Sequence, residues 1–464
     1  MEHGSLQSPI VPLTLSLSDM NLTDRFLANI FALRHQPVSK KNETLIRSYL
    51  LDTIGVSLAG AADLTSKEEG LLNLLGGRGE VKAIGRNEGC TMADAIFLNG
   101  LSSHFLELDD GVRYGVIHPS APLFSALIPL AIANSVPWQN FVLGTVCGYE
   151  TSIRLASAMQ PSHYGMGFHP TATCCTIGVA VGIAVMLGWD DTVVKDAFSA
   201  ACVSASGSLK VLEDVSQIKP YNCAKAALNG YMSAMLAKAG FVGPSDALDG
   251  ETGFLKMNST AYNEDVLTGK RDFLYLEKIY QKPYASCRHT HPEIEACFKI
   301  RQTEGFDVKD VKKIEITTYK GVIGKHDFKD IHGESSARMS IPYSAVIALW
   351  TGKAGIAEFA EPYVNNPDIL DLTQRVNIIP DEELSRLVPD KRVAIVNVYM
   401  RNGDVLTEKV EYPKGEPENP LTPEENLAKF LSMTEHAGVA YEKAQSIFQE
   451  IINKEKTDLR VIWS

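Results

Sequence analysis

Apolar residues recur at helical spacing through the first half of the chain. In "ETLIRSYLLDTIGVSLAG", Ile46, Tyr49, Leu50, Ile54 and Leu58 follow one another at steps of three, one, four and four and gather on one helical face. "AKAALNGYMSAMLAKAG" is an Ala-rich helix with Lys238 in its last turn and Gly240 as its stop. "TIGVAVGIAVMLGW" is apolar all round but too short to span a bilayer, so it predicts a buried helix. "FVGPSDALDGETGF" then breaks the pattern with turn residues.

Beyond that break the period changes. "VKKIEITTYK" is rich in β-branched residues, and "RVAIVNVYMRNGDVLTEKVEYP" alternates on both sides of Asn402-Gly403, a hairpin signature. Helical stretches, "IPYSAVIALWTGK" and the acidic "PDEELSRL", lie between them. "TPEENLAKFLSMTEHAGVAYEKAQSIFQEIINK" returns to helix. The expected fold is mainly α. Residues 20–265 form a large all-helical domain, 266–412 a smaller α+β domain, and 413–464 C-terminal helices that return to the first domain.

Composition narrows the function. A chain of 464 residues exceeds one small core. A net charge of −12 argues against nucleic-acid or anionic-membrane partners. The first twenty residues carry prolines and no basic n-region, and are read as a loose leader rather than a signal peptide. Eight cysteines without CxxC or zinc spacing suit free thiols in a reducing cytoplasm. The adjacent pair Cys174–Cys175 is read as helix packing.

No nucleotide turn, P-loop, HExxH or GxSxG is present, and "GGRGEVK" lacks the closing glycine of a dinucleotide loop, so no cofactor is expected. Glu107, Asp109, Asp110 and His118 are conceivable metal ligands, but no second histidine stands at ligand spacing. An extended "HTH" would point His289 and His291 to opposite faces, and no metal is expected. Side chains able to move protons or hold anions remain. "SHFLELDDGVRYGVIHP" carries His104, Glu107, Asp109, Asp110 and His118. "HYGMGFHPTATCC" places His163 and His169 in a turn before a helix N-terminus, where an anion is favoured. "IKPYNCAKAALNG" puts Lys219 before another helix, with Lys225 one turn on. "SSARMSIPYSAVIAL" contributes Arg338 and Tyr343. Taken singly, a histidine at a helix start is a cap more often than a catalyst, and Tyr343 between "IP" and "SAVIAL" fits a core. Their shared form, a polar residue at a Gly/Pro turn opening an apolar helix, favours a common site.

Taken in order, these motifs resemble the MmgE/PrpD family, which includes 2-methylcitrate dehydratase, cis-aconitate decarboxylase and iminodisuccinate epimerase. "LNGLSSHFLELDDG", followed by "HPSAP", is similar to that family's Asn-Gly, His, "DFDDT", His-Pro pattern. "GFHPTAT", "IKPYNCAKAALNG", "KPYASCRHTHPEIEA" and "ARMSIPYSAVIAL" resemble later elements, so the likeness runs over roughly 25–455. It implies a helical domain with an α+β lid, a homodimer, no cofactor and a site between the domains. It also implies Asp109, His118, His169, Lys219 and Tyr343 as catalytic or substrate-binding residues; the residues themselves add His104, Glu107, Asp110, Arg338 and Lys225, an extra base beside the lysine element, as candidates at the substrate. The implied activity is a cytoplasmic lyase moving a proton beside a carboxylate of a small polycarboxylate, by dehydration or decarboxylation. An epimerase and a non-catalytic binding homologue are the alternatives. Glu107 replaces the first Asp, Gly111 the Thr, and Asn222 the His of the lysine element. In this reading His118 titrates near neutral pH and an acidic neighbour raises its basicity.

Overall fold

A computed structural model describes residues 20–75, 77–212 and 216–463. Apart from Met20, the leader expected over the first twenty residues lies outside them. The principal helices of the first domain are α1 (Leu22–Arg34), α2 (Lys40–Asp63), α3 (Met92–Phe105), α4 (Ser120–Ala133), α5 (Trp138–Met159), α6 (Pro170–Met186), α7 (Asp191–Ser204) and α8 (Tyr221–Lys238). Every residue of α6 is buried, as its unbroken apolar run predicts. Small residues let it lie against α5: a Cβ on Gly178 would stand 2.5 Å from the Gly148 carbonyl oxygen. The same device sets the crossing that builds the site. A Cβ on Gly100 of α3 would meet Ala224 Cα of α8 at 2.4 Å. The C-terminus of α3 therefore reaches the N-terminus of α8, bringing the residues after His104 to Lys219.

The second domain contains α9 (His291–Arg301), α10 (Ile341–Thr351) and a sheet of β1 (Val311–Tyr319), β2 (Val376–Asp381), β3 (Ala394–Met400) and β4 (Val405–Val410). The strand order is β2-β1-β3-β4; β1 and β2 run parallel and the other pairs antiparallel. The Asn402-Gly403 hairpin forms, closed by Met400 N–H donating to the Asp404 carbonyl at 2.9 Å, with Gly403 at φ 101°. "PDEELSRL" is helical only from Glu382 to Arg386. Pro380 instead closes β2, an edge strand where its missing N–H leaves no gap in the ladder. Then α11 (Pro423–His436) packs on α2, with Met433 and Phe430 over Gly55 and Lys429 Nζ 2.5 Å from Asp52.

Glu293, fully buried in α9, has no hydrogen-bond partner at either carboxylate oxygen, and burial pushes its pKa up to about 8. The folded state thus holds a proton that the unfolded state releases near the ordinary carboxylate value. Stability is lost as pH rises from about 4 towards about 8 and stays lost above that. Glu293→Gln should raise the melting temperature at pH 9 and leave it nearly unchanged at pH 4. Thermal unfolding of both proteins at the two pH values checks this, and an equal effect at both would refute it.

Candidate active site

Past the end of α3 the chain turns sharply: Glu107 adopts φ 53°, a left-handed conformation rarely taken by a residue with a side chain. The turn returns three acids toward the helix end. His104 Nδ1 lies 2.7 Å from Asp109 Oδ2, and its Nε2 lies 3.7 Å from Glu107 Oε1. The Lys219 ammonium donates to Glu107 Oε1. Lys282, fully buried, donates to the Glu107 carbonyl at 3.0 Å and stands 3.6 Å from Glu107 Oε2 and 3.7 Å from Asp109 Oδ1. A tight loop closed by the Val112–Ile117 pairing then delivers His118 at the start of α4. Its N–H donates to Thr171 Oγ1 at 3.0 Å, and its ring meets His104 edge-on, with centroids 4.9 Å apart.

The tautomer of His118 follows from its partner. Nδ1 lies 2.7 Å from the backbone carbonyl of Asp110, which can only accept, so Nδ1 carries the hydrogen and Nε2 the lone pair. Asp109 Oδ2 stands 3.4 Å from the same Nδ1. The expectation of a near-neutral pKa is corrected here. Burial above all, with the charges of Lys282, His104 and Lys219, outweighs Asp109 and lowers His118 to about 3. In the free protein it is a neutral base at physiological pH. Burial acts against ionisation of Glu107, but Lys219, His104 and Lys282 win and hold it well below the usual carboxylate range. Burial acts against ionisation of Asp109 as well, but His104, His118 and Lys282 hold it below the usual carboxylate range. Lys219 keeps its charge, because Glu107 more than offsets its burial. Asp110 behaves oppositely: burial pushes it up to about 8, so it is protonated near neutral pH, with its carboxyl against the Ser120 hydroxyl.

An open cleft of about 1540 Å³ crosses this region, walled by Glu107, Lys219, Tyr164, His326 and Arg338. A recess of about 50 Å³ shares Tyr164, Lys219 and His326 with it. From the helical domain the recess receives His118, His169 and Lys219. From the second domain it receives Arg288, His289, His326 and Arg392, and no carboxylate lines it among the described residues. His169 is buried with Nδ1 unpartnered, and burial holds it well below its ordinary pKa.

The expected site residues divide. His118, His169, Lys219, Glu107 and Arg338 reach a cavity wall. Asp109 and His104 lie behind His118 as its support, and Asp110 supplies a carbonyl to it rather than a carboxylate to the cavity. Tyr343 is not brought to the cavity: it is fully buried, and its hydroxyl donates to the Glu358 carbonyl at 2.9 Å. Lys225 sits over the Tyr221 ring with its amine 3.4 Å from Ser206 Oγ, on neither cavity wall. His163 is spent on Asn258 O and Thr173 Oγ1.

Sequence reasoning missed Lys282, Tyr280, His326 and Arg392, and set His289 aside. "HTH" is no extended strand but a 3₁₀ turn leading into α9. His289 bonds the Tyr319 hydroxyl and stacks on His326 with centroids 4.8 Å apart, while His291 turns to Arg288. Among the described residues, two groups bring three ligand-type atoms within 4.8 Å of one another: His104–Asp109–His118 and Cys287–His289–His326. In the first, both Nδ1 atoms are already hydrogen-bonded and the Lys282 ammonium stands 3.7 Å from its acid, which favours a proton network over a dication. In the second, both Nδ1 atoms are also engaged, His289 with Tyr319 and His326 with the Met339 carbonyl. Cys287 and the Nε2 atoms of these two histidines are the atoms there that fit a soft metal.

Residues 26–265 match the MmgE/PrpD N-terminal domain, and residues 284–454 the MmgE/PrpD C-terminal domain. The chain belongs to the MmgE/PrpD family. It is 24% identical over 379 residues to cis-aconitate decarboxylase of Homo sapiens, covering 78% of this chain and 76% of that one. To the cis-aconitate decarboxylase of Mus musculus it is 24% identical over 351 residues, 72% of this chain and 70% of the mouse protein. A cis-aconitate decarboxylase-like protein oryM of Aspergillus oryzae is 24% identical over 401 residues, 81% and 82% of the two chains. At family level these matches support MmgE/PrpD-type lyase activity. Among the described residues, no helix is long and apolar enough to cross a membrane.

The structure shows the surroundings of Gly111 and Asn222, the positions that stand where the resemblance leads one to expect Thr and His. Gly111 pairs backbone to backbone with Tyr280, and a Cβ on it would lie 2.4 Å from the Tyr280 hydroxyl. A threonine has no room there, and the tyrosine hydroxyl occupies that space. Asn222 faces the neighbouring loop, where its amide donates to the Ser208 carbonyl at 3.3 Å.

Proposed function

We propose that the protein is a lyase for a small unsaturated polycarboxylate, moving a proton at the carbon beside a carboxylate, with decarboxylation as its reaction. The observation that carries this reading is the recess: ammonium, guanidinium and imidazole groups wall it, no carboxylate among the described residues does, and the buried His118–His104–Asp109 network stands at its edge. The names of the three relatives support decarboxylation over dehydration.

The chemistry follows from the charges. A carboxylate of the substrate leaves as carbon dioxide, and the electron pair of the broken carbon–carbon bond passes through the adjoining double bond to a carbon beside a second carboxylate. That carbon takes one proton, so charge and atoms balance without an electron carrier. Lys219 neutralises the developing negative charge. His118 is neutral in the free protein, but an arriving polyanion offsets the positive charges that depress it, so it can take a proton and deliver it.

The test is proton NMR of the pure protein with cis-aconitate and related acids in deuterated water. The expected result is loss of carbon dioxide with one deuterium entering the product. Loss of water from a hydroxy acid would replace the reading with dehydration, and exchange without net product would replace it with epimerisation. Silence on every acid would leave a binding protein and overturn it.

A further inference from the structure

We infer that Arg392 is a second carboxylate clamp, supplied by the sheet domain, and that the ligand of this site therefore carries at least two carboxylates held from the two domains. The inference rests on the polycarboxylate reading and names how that ligand is gripped.

Arg392 lies two residues before β3, where the neighbouring Val393 carbonyl accepts a hydrogen bond from Thr318 Oγ1 at 2.8 Å, fixing where the side chain departs. It is only 7% exposed and lines the recess. Its Nε is buried without a hydrogen-bond partner, and no carboxylate among the described residues forms an ion pair with it. The other ammonium and guanidinium groups of the recess differ. Lys219 has Glu107, and Arg288 has Glu416 at 2.9 Å. Glu416 also acts on Arg392 electrostatically, but Arg113 at 2.6 Å and Arg288 already occupy it. The histidines facing Arg392 across the recess, His289 and His326, are both held below their ordinary pKa by burial and offer no negative charge.

A guanidinium desolvated without a counter-ion is unfavourable in the free protein. It becomes favourable when a planar anion arrives, because its fork of N–H donors matches a carboxylate with two parallel bonds. Lys219 stands on the same recess but comes from the helical domain. One carboxylate on each would make the ligand a bridge between the domains.

Propane-1,2,3-tricarboxylate lacks the double bond that the reaction needs, so calorimetric titration with it reads binding alone. The wild-type protein is expected to bind it, and Arg392→Gln to bind at least tenfold more weakly. The melting temperature of ligand-free Arg392→Gln should be unchanged or higher, since an unpaired charge has been removed. Methylguanidinium should restore binding to Arg392→Ala. Equal binding by wild type and Arg392→Gln overturns the clamp while leaving the polycarboxylate reading intact. A wild-type protein that binds neither this acid nor cis-aconitate overturns both. Weak binding with a lowered melting temperature and no rescue by methylguanidinium makes Arg392 structural and overturns the clamp.

Discussion

Replacing His118 by alanine is expected to lower kcat by about 10²–10⁴-fold, the usual cost of losing a general acid or base, with little effect on folding. His118 is the one ring of its buried network that also lines the recess; His104 and Asp109 sit behind it. Its proton inventory is set by the Asp110 carbonyl, and its low pKa by burial and nearby ammonium groups. The affinity for a non-reacting polycarboxylate should be nearly unchanged, because Lys219 and the second-domain cations remain. Asp109→Asn should give a smaller loss, acting through the orientation of His104 and His118. Steady-state kinetics with melting curves on both variants decides. If His118→Ala keeps more than about a tenth of wild-type kcat, outside the range for such a group, the proton passes through another residue, and His169 is the next ring on the recess.

What could be read from the sequence, and what could not, follows the reach of local pattern. His118, His169 and Lys219 each stand at a turn before an apolar helix, a signal contained in a dozen residues, and all three meet at one recess. The β3–β4 hairpin was legible for the same reason, since Asn402-Gly403 is a local instruction. Arg392, His289 and His326 reach that recess from the second domain, and nothing near them in sequence marks a cavity. "KRVAIV" reads only as the start of a strand. The basicity of His118 was misjudged because its neighbourhood in sequence is acidic, whereas its neighbourhood in space also holds Lys282 and Lys219 from distant segments. Tyr343 carries the pattern of a site residue, but the apolar run after it buries it, and its hydroxyl is spent on a main-chain carbonyl.

Lys282 and Lys219 both hold Glu107, and their removal should give opposite signatures. Lys282 is wholly buried, lines neither cavity, and is shared by Glu107 and Asp109. Lys282→Met leaves two desolvated carboxylates with less compensation and frees the Glu107 carbonyl that Lys282 holds in its left-handed turn. Breaking a buried pair from one side costs about 3–5 kcal/mol, so urea unfolding should show a loss of that order, with activity falling as the His104–Asp109–His118 alignment relaxes. Lys219 reaches both cavity walls. Lys219→Met leaves Glu107 still paired with Lys282, so it should destabilise less, but it removes a cation facing the substrate and should raise KM as well as lower kcat. Removing an acid as well separates the two roles. In Lys282→Met/Asp109→Asn part of the lost stability should return, since Lys282 is the ammonium that stands beside Asp109, whereas Glu107→Gln should not restore KM to Lys219→Met. Equal unfolding free energies for Lys282→Met and Lys219→Met would mean that the two ammonium groups share one structural task, and the division between a supporting lysine and a substrate-facing one would fail.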